Sequence, residues 1–200
     1  LWGQTDEFIK KVLHQEFTLL QEAGVNTIRL FGIVPPRWVT YIYEKYGVMT
    51  IVNHLMGRYG YNIGGVWIPN TNYQDELTRK TLINDFAAMV EKFKDVKGVV
   101  MFALGNENNY GLHWSSFEIE NLPKDDQHKG KAEFLYSMYN EAIAAAKKVD
   151  TDHPYAIVNG DIQYLDLIVD HCKEVDILGV NCYRGKSFTD LWERVDKEAN

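Results

Sequence analysis

Apolar and polar positions along the chain fall into two alternating rhythms. Phe8, Val12, Leu13, Phe17 and Leu20 recur at three- and four-residue spacing, which predicts a helix from Glu7 to Ala23, capped by Asp6 and stopped by Gly24. Val25–Ile33 (VNTIRLFGI) is rich in β-branched residues, carries Arg29 in its middle and reads as a strand. Pro35-Pro36 closes that strand and opens a short helix, Arg37–Tyr46, ended by Gly47. A second strand, Val48–Leu55, turns polar at Asn53 and His54. A long loop, Met56–Gln74, precedes a helix over Asp75–Asp95 with Leu82, Phe86, Met89, Val90 and Phe93 at helical spacing. Val99–Leu104 is an unbroken apolar run between Gly98 and Gly105, as expected of a strand buried on both faces. A second long loop, Asn108–Gly130, leads to a helix over Ala132–Val149, a strand over Tyr155–Asn159 and a helix over about Ile162–Cys172. A strand, Asp176–Cys182, and a last helix, Thr189–Glu198, complete the pattern.

One helix followed by five strands alternating with five further helices implies a parallel sheet covered by helices. Two architectures fit, a doubly wound open sheet or part of an eightfold barrel. A doubly wound nucleotide-binding domain carries a Gly-rich phosphate turn after a strand. Here Gly32 is followed by Ile-Val-Pro-Pro, which offers no cradle of backbone donors. Polar residues recur instead at strand C-termini: Asn53 and His54, Asn106 and Glu107, Asn159 and Asp161, Asn181 and Tyr183. Barrels place their chemistry at that end, so the pattern favours the α/β class with an incomplete TIM (β/α)8 barrel of about five parallel strands and flanking helices.

Composition narrows this only in places. Two hundred residues suffice for one domain with a core. A formal charge of -7 without a Lys/Arg cluster excludes a nucleic-acid footprint. The aromatic content of 13% suits sugar-stacking platforms as well as core filling. Cys172 and Cys182, one in a predicted helix and one in a predicted strand, read as small buried hydrophobes rather than a bridge. No signal peptide, lipidation motif or membrane span is legible, and the chain opens without a Met.

Glu107 is the residue where chemistry concentrates. A carboxylate at the end of a buried parallel strand is either a loop acid capping the next helix or a catalytic group. Both long loops are aromatic: Arg58, Tyr59, Tyr61, Trp67 and Tyr73 in the first, Tyr110, His113, Trp114 and Phe117 in the second. Loops of that length inside a domain are functional or disordered, and their aromatics argue for function, as the walls of a binding cleft. His54, His113 and Glu107 lack the spacing of a metal site such as H-E-x-x-H, so neither metal nor other cofactor is called for.

Gly24-Val-Asn-Thr-Ile-Arg29, the Tyr-Gly-Val-Met strand start, Val-Met-Phe-Ala-Leu-Gly-Asn106-Glu107 and Asp176-Ile-Leu-Gly-Val-Asn-Cys-Tyr183 follow in barrel order. Together they resemble the retaining β-glycosidase superfamily with a TIM-barrel catalytic domain, closest to the β-galactosidase/β-glucuronidase family (glycoside hydrolase family two) and its cellulase-like relatives. The resemblance implies that the five strands are barrel strands two to six. It implies Glu107 as general acid/base, Asn106 as the partner of the sugar 2-hydroxyl, and Arg29 and Tyr183 as residues that orient the nucleophile. His54 falls where a subsite residue lies, and Trp67 and Trp114 belong to the loops that would wall the subsites. Arg29 needs a partner in any buried strand. Tyr183 remains open between that role and a rim aromatic. Asp161 reads as a helix cap, and Asp176 sits at the wrong end of its strand for catalysis.

Strands one, seven and eight, and with them the nucleophile Glu, have no counterpart within residues 1–200, so the expectation is part of a single catalytic domain of a longer enzyme. Retaining hydrolysis needs two carboxyl groups about 5–5.5 Å apart. General-acid work at neutral pH needs one held protonated by burial or by a nearby charge. The reading is thus a retaining β-glycoside hydrolase or transglycosidase acting on a β-linked oligo- or polysaccharide. Its rivals are a carbohydrate-binding barrel without catalysis, serving an envelope or scaffold, and a doubly wound small-molecule domain. A polymeric substrate would place the enzyme in a secreted or cell-envelope setting, although no residue pattern fixes the compartment.

Overall fold

A computed structural model describes residues 1–114, 123, 126–188 and 190–199. The chain opens with α1 (Asp6–Glu22), which buries Ile9, Leu13 and Phe17 at four-residue intervals. Its cap is Thr5, whose side chain accepts from the Phe8 N–H at 3.3 Å. Asp6, the expected cap, sits one residue too late and pairs with Arg37 at 2.9 Å instead. β1 (Thr27–Arg29) is much shorter than the predicted strand. Its pairing ends with the Leu30 N–H on Ile51, after which the chain diverges toward Pro35. α2 (Pro36–Tyr46) starts on proline, and Gly47 closes it in the left-handed region at φ 68°.

β2 (Met49–His54) follows. Within the segment expected to be loop lies a hairpin, β3 (Tyr61–Ile63) and β4 (Val66–Ile68), paired antiparallel. Its turn is Gly64-Gly65, both with positive φ (56° and 85°), a demand that L side chains meet poorly. Asp75 caps α3 (Glu76–Phe93) by accepting from the Thr78 N–H at 2.8 Å. β5 (Val99–Leu104) is followed by a single turn, α4 (Asn108–Gly111), and a 3-10 turn over Leu112–Trp114. α5 (Gln127–Ala146) begins five residues earlier than its apolar pattern suggests, because Gln127, Gly130 and Lys131 are buried as well. β6 (Tyr155–Gly160), α6 (Leu165–His171), β7 (Ile177–Asn181) and α7 (Leu191–Ala199) complete the chain. Thr189, the expected start of the last helix, lies outside the described residues.

The five long-range strands form one parallel sheet in the order β1-β2-β5-β6-β7, curled into a half-barrel with helices flanking it. Alternation along the strands gives the sheet two unlike faces. Val52, Phe102, Leu104, Tyr155 and Ile157 join the main core with Phe86, Leu135, Tyr139 and Ile143. Tyr155 stacks at 5.9 Å on Phe102 and meets Phe86 edge-on at 6.2 Å. Such aromatic pairs add about 0.5–1.5 kcal/mol each beyond their burial. The opposite face gathers Ile51, Met101, Ala103, Ala156 and Val158 in a separate small cluster. The polar strand ends open above this concave face. Cys172 and Cys182 are both free thiols. Among the described residues no helix is long and apolar enough to cross a membrane.

Candidate active site

β5 delivers the sequence Gly105-Asn-Glu-Asn-Asn109 to the C-terminal end of the sheet, and its backbone is fixed from both sides. The Gly105 N–H extends the ladder to the His54 carbonyl at 2.8 Å. Gly105 itself has φ 75°, and a Cβ there would run into the Tyr139 hydroxyl, so glycine is required twice over. Glu107 is also left-handed (φ 57°, ψ 37°), an uncommon conformation for a residue with a side chain. Its N–H donates to the Val158 carbonyl at 2.9 Å.

Two buried asparagines hold this turn. On the β2 side, Asn108 Nδ2 lies 3.0–3.1 Å from the Leu55 and Met56 carbonyls and the Tyr73 hydroxyl, while its Oδ1 accepts from the Asn106 N–H at 2.8 Å. On the β6 side, Asn109 exchanges a reciprocal pair with the Gly160 backbone, both 2.8 Å. Each satisfies backbone groups that would otherwise be unpaired where the strand ends.

Around the carboxylate converge residues from two other strand ends, β1 and β7. Tyr183 donates to Glu107 Oε1 at 2.7 Å, and Asn181 Nδ2 donates to the same oxygen at 3.0 Å. Arg29 Nη2 donates to Asn106 Oδ1 at 3.0 Å, with Asn181 Nδ2 3.5 Å from that oxygen. Asn106 Nδ2 reaches the Tyr59 hydroxyl at 3.4 Å. Arg29 Nη1 is buried without a partner. Burial lowers the Arg29 pKa, opposed by the charges of Glu107 and Tyr183, so the guanidinium is held where only anionic or hydrogen-bonding neighbours make it favourable. Donation to Glu107 is also the leading cause that raises the Tyr183 phenol above its ordinary value. Tyr183 is 76% exposed, so its place depends on its neighbours. The adjacent Arg184 Nε lies 3.0 and 2.8 Å from the two Asp161 oxygens, and its Nη1 pairs with Asp190. That guanidinium holds the Asp161 carboxyl below the usual carboxylate range.

The sequence-predicted residues divide accordingly. Glu107, Asn106, Arg29 and Tyr183 form one hydrogen-bonded cluster. His54 does not join it. It packs edge-on to Phe86 of α3 at 6.2 Å, its Nδ1 accepts from the Met56 N–H at 3.1 Å, and burial pushes its pKa down to about 4. The preceding residue, Asn53, pairs in register with Ala103 of the concave cluster. Trp67 stands on the hairpin, half-exposed, with its ring against Gly60. Trp114 ends the 3-10 turn, and its side chain lies outside the described residues, as does Phe117. Asp161 caps no helix. α6 starts at Leu165, and Asp161 holds the turn through the Ile162 N–H and Arg184 instead. Asp176 lies at the far end of the sheet, accepting from the Tyr155 N–H. The sequence marked Asn181 only as a polar strand end and Tyr59 only as one of the loop aromatics, without a place in this cluster for either. Among the described residues no three His, Cys, Asp or Glu side chains gather as a metal site.

Four polar side chains from three strand ends, focused on one carboxylate at the C-terminal mouth of a parallel half-barrel, can orient a hydroxylated ligand and exchange a proton with it. Neither a family model nor a curated protein matches the chain. Solved structures do match in fold. β-Glucuronidase 2 of Bacteroides uniformis, solved covalently bound to cyclophellitol-6-carboxylate aziridine, superposes with a TM-score of 0.64 at 17% identity, over 91% of this chain and 19% of that one. The β-glucuronidase of Parabacteroides merdae gives 0.58 at 18%, over 94% and 20%. The β-galactosidase of Rahnella sp. R3 gives 0.62 at 10%, over 90% and 38%. The chain thus spans from a fifth to under two-fifths of the length of these glycosidases, and what it is similar to in them is the fold.

Proposed function

We propose that residues 1–200 form part of a single TIM-barrel catalytic domain of a retaining β-glycoside hydrolase or transglycosidase, with Glu107 as general acid/base. The observation that carries the reading is the Glu107 carboxylate at the end of β5, one oxygen engaged by Asn181 and Tyr183 and its neighbour Asn106 engaged by Arg29. The glycosidases that share the fold support it. In this reading Glu107 protonates the leaving oxygen of a β-linked sugar, and as carboxylate it then activates water or an acceptor hydroxyl. Asn106 contacts the sugar 2-hydroxyl. The nucleophilic carboxylate comes from a strand beyond these residues. The unpartnered Nη1 of Arg29 is the donor available to it, with Tyr183 alongside.

The test is Glu107→Gln in the full-length polypeptide. General acid catalysis contributes about 10²–10⁴-fold. The expected outcome is a loss of that size on β-glycosides with alcohol leaving groups, with glycosides of activated phenols largely spared. Equal loss on both would remove Glu107 from the acid role.

A further inference from the structure

β7 ends at Asn181, and the chain continues as Cys182-Tyr183-Arg184-Gly185 beside the Glu107 cluster. Tyr183 is largely exposed, so burial does not hold its ring near Glu107, and a single exposed hydrogen bond constrains a rotatable side chain weakly. The next residue is fixed far more firmly. Arg184 Nε donates to both Asp161 oxygens at 3.0 and 2.8 Å, Nη2 donates to Oδ1 at 2.5 Å, and Nη1 pairs with Asp190. A planar guanidinium engaged through three nitrogens is held in orientation as well as place, which a Lys ammonium would not be. Arg184 and Asp161 are mostly shielded (19% and 25% exposed), so salt screens their pair less than a surface one. We infer that Arg184 is a positioning residue: its clamp on Asp161 sets the backbone from which Tyr183 reaches Glu107. The kinetic consequence rests on the glycosidase reading above, and the mechanical one does not.

The far side of the clamp is anchored in the sheet. The Asp161 N–H donates to the Asn181 carbonyl at 3.0 Å, closing the pairing of β6 with β7, and its Oδ1 accepts from the Ile162 N–H at 2.7 Å. Its backbone is left-handed at φ 49°, a conformation that Asp and Asn tolerate better than most side chains. The preceding residue, Gly160, exchanges its 2.8 Å hydrogen bonds with Asn109, two positions after Glu107. A closed circuit therefore runs from Glu107 through Asn109, Gly160, Asp161 and Arg184 to Tyr183 and back to the carboxylate. Without Arg184, Tyr183 would hang from a segment tied to β6 by the ladder that ends at Asn181. Arg29 on β1 and Tyr110 on α4 also act on the Tyr183 phenol, but neither bonds Arg184, so replacing Arg184 leaves both influences in place.

The first readout needs no substrate. In the full-length polypeptide isotopically labelled at tyrosine Cζ, the Tyr183 resonance is assigned by its loss in Tyr183→Phe and followed through an alkaline titration. Its midpoint starts above that of a free phenol because Tyr183 donates to Glu107. In Arg184→Ala the midpoint should fall toward about 10. Asp161→Asn keeps a side chain suited to the left-handed backbone and should give the same fall. The second readout is kinetic. On a β-glycoside with an alcohol leaving group, Arg184→Ala should lower kcat about tenfold with KM nearly unchanged, and should add nothing in a Tyr183→Phe background. A midpoint unmoved in both variants, a fall in midpoint without loss of kcat, or a further tenfold loss in the Tyr183→Phe background would overturn the inference. A fall in midpoint in a polypeptide that hydrolyses no β-glycoside would keep the clamp and remove the glycosidase reading. Hydrolysis with kcat and midpoint both untouched by Arg184→Ala would keep the glycosidase reading and remove the clamp.

Discussion

A strand that ends in two polar residues can present only one of them to each face. Asn53 pairs with Ala103 of the concave face, and His54 turns to α3 and Phe86. Burial there holds His54 neutral, with a pKa lowered from 6.5 to about 4. The sign of the consequence is fixed: between those values the unfolded chain binds the proton and the folded chain does not, so stability falls as pH drops from about 6.5 toward 4. Holding the buried imidazole neutral over that range is worth roughly 3 kcal/mol. Urea unfolding at pH 7 and pH 4.5 should show a drop that shrinks by most of that amount in His54→Gln, and an identical pH dependence in both proteins would contradict it. At this scale the sequence was legible where a residue type had one reasonable use. Arg29, Asn106, Glu107 and Tyr183 share one hydrogen-bonded cluster, because charged and polar groups at strand ends are satisfied by one another. His54 was misplaced because the polarity of a strand end does not say which face each residue takes. Tyr59 was legible only as a loop aromatic, because its reach to Asn106 is set by the hairpin it precedes.

Elements with strong periodicity were readable, and those specified by turn chemistry were not read. The five parallel strands and the helices between them lie where the apolar rhythm put them, apart from their ends. The β3–β4 hairpin was missed although Tyr61 and Ile63, then Val66 and Ile68, flank a Gly-Gly pair, which is a strong hairpin signal. Two consecutive left-handed residues make this element dependent on those glycines. Replacing both Gly64 and Gly65 by Ala should cost about 1–2 kcal/mol at each position. The hairpin is anchored by Tyr61, which bonds Thr78 at 2.7 Å, and by Ile63 and Ile68 packed against the main core, none of them in the turn, so the loss should be local. Hydrogen exchange over residues 61–68 is expected to accelerate while β5 and α5 keep their protection. Uniform acceleration across the chain would show instead that the hairpin is a cooperative part of the core.

Across the whole molecule, alternation of strand and helix is enough to dictate a parallel sheet, but the closure of a barrel is not encoded in any local pattern. It depends on the edge strands. In the described sheet β1 and β7 each have a neighbour on one side only. Beside β7, Leu178, Val180 and Cys182 face Phe188, Leu191, Trp192 and Val195 across an apolar groove of about 440 Å³, and Trp192 is 67% exposed. An uncovered strand edge next to an apolar groove is a template for another chain. A polypeptide of residues 1–200 alone is therefore expected to self-associate, its mass by light scattering rising with concentration. Trp192→Glu, which places a charge in the groove without touching the Glu107 cluster, should shift that rise to higher concentration. If the barrel reading holds, a longer polypeptide that supplies a strand and helix against β7 should cover the same surface intramolecularly, and Trp192→Glu should then lower stability instead of association. A monodisperse monomer of residues 1–200 at high concentration would show that this half-barrel tolerates open edges, and the case for closure from the edges would fall.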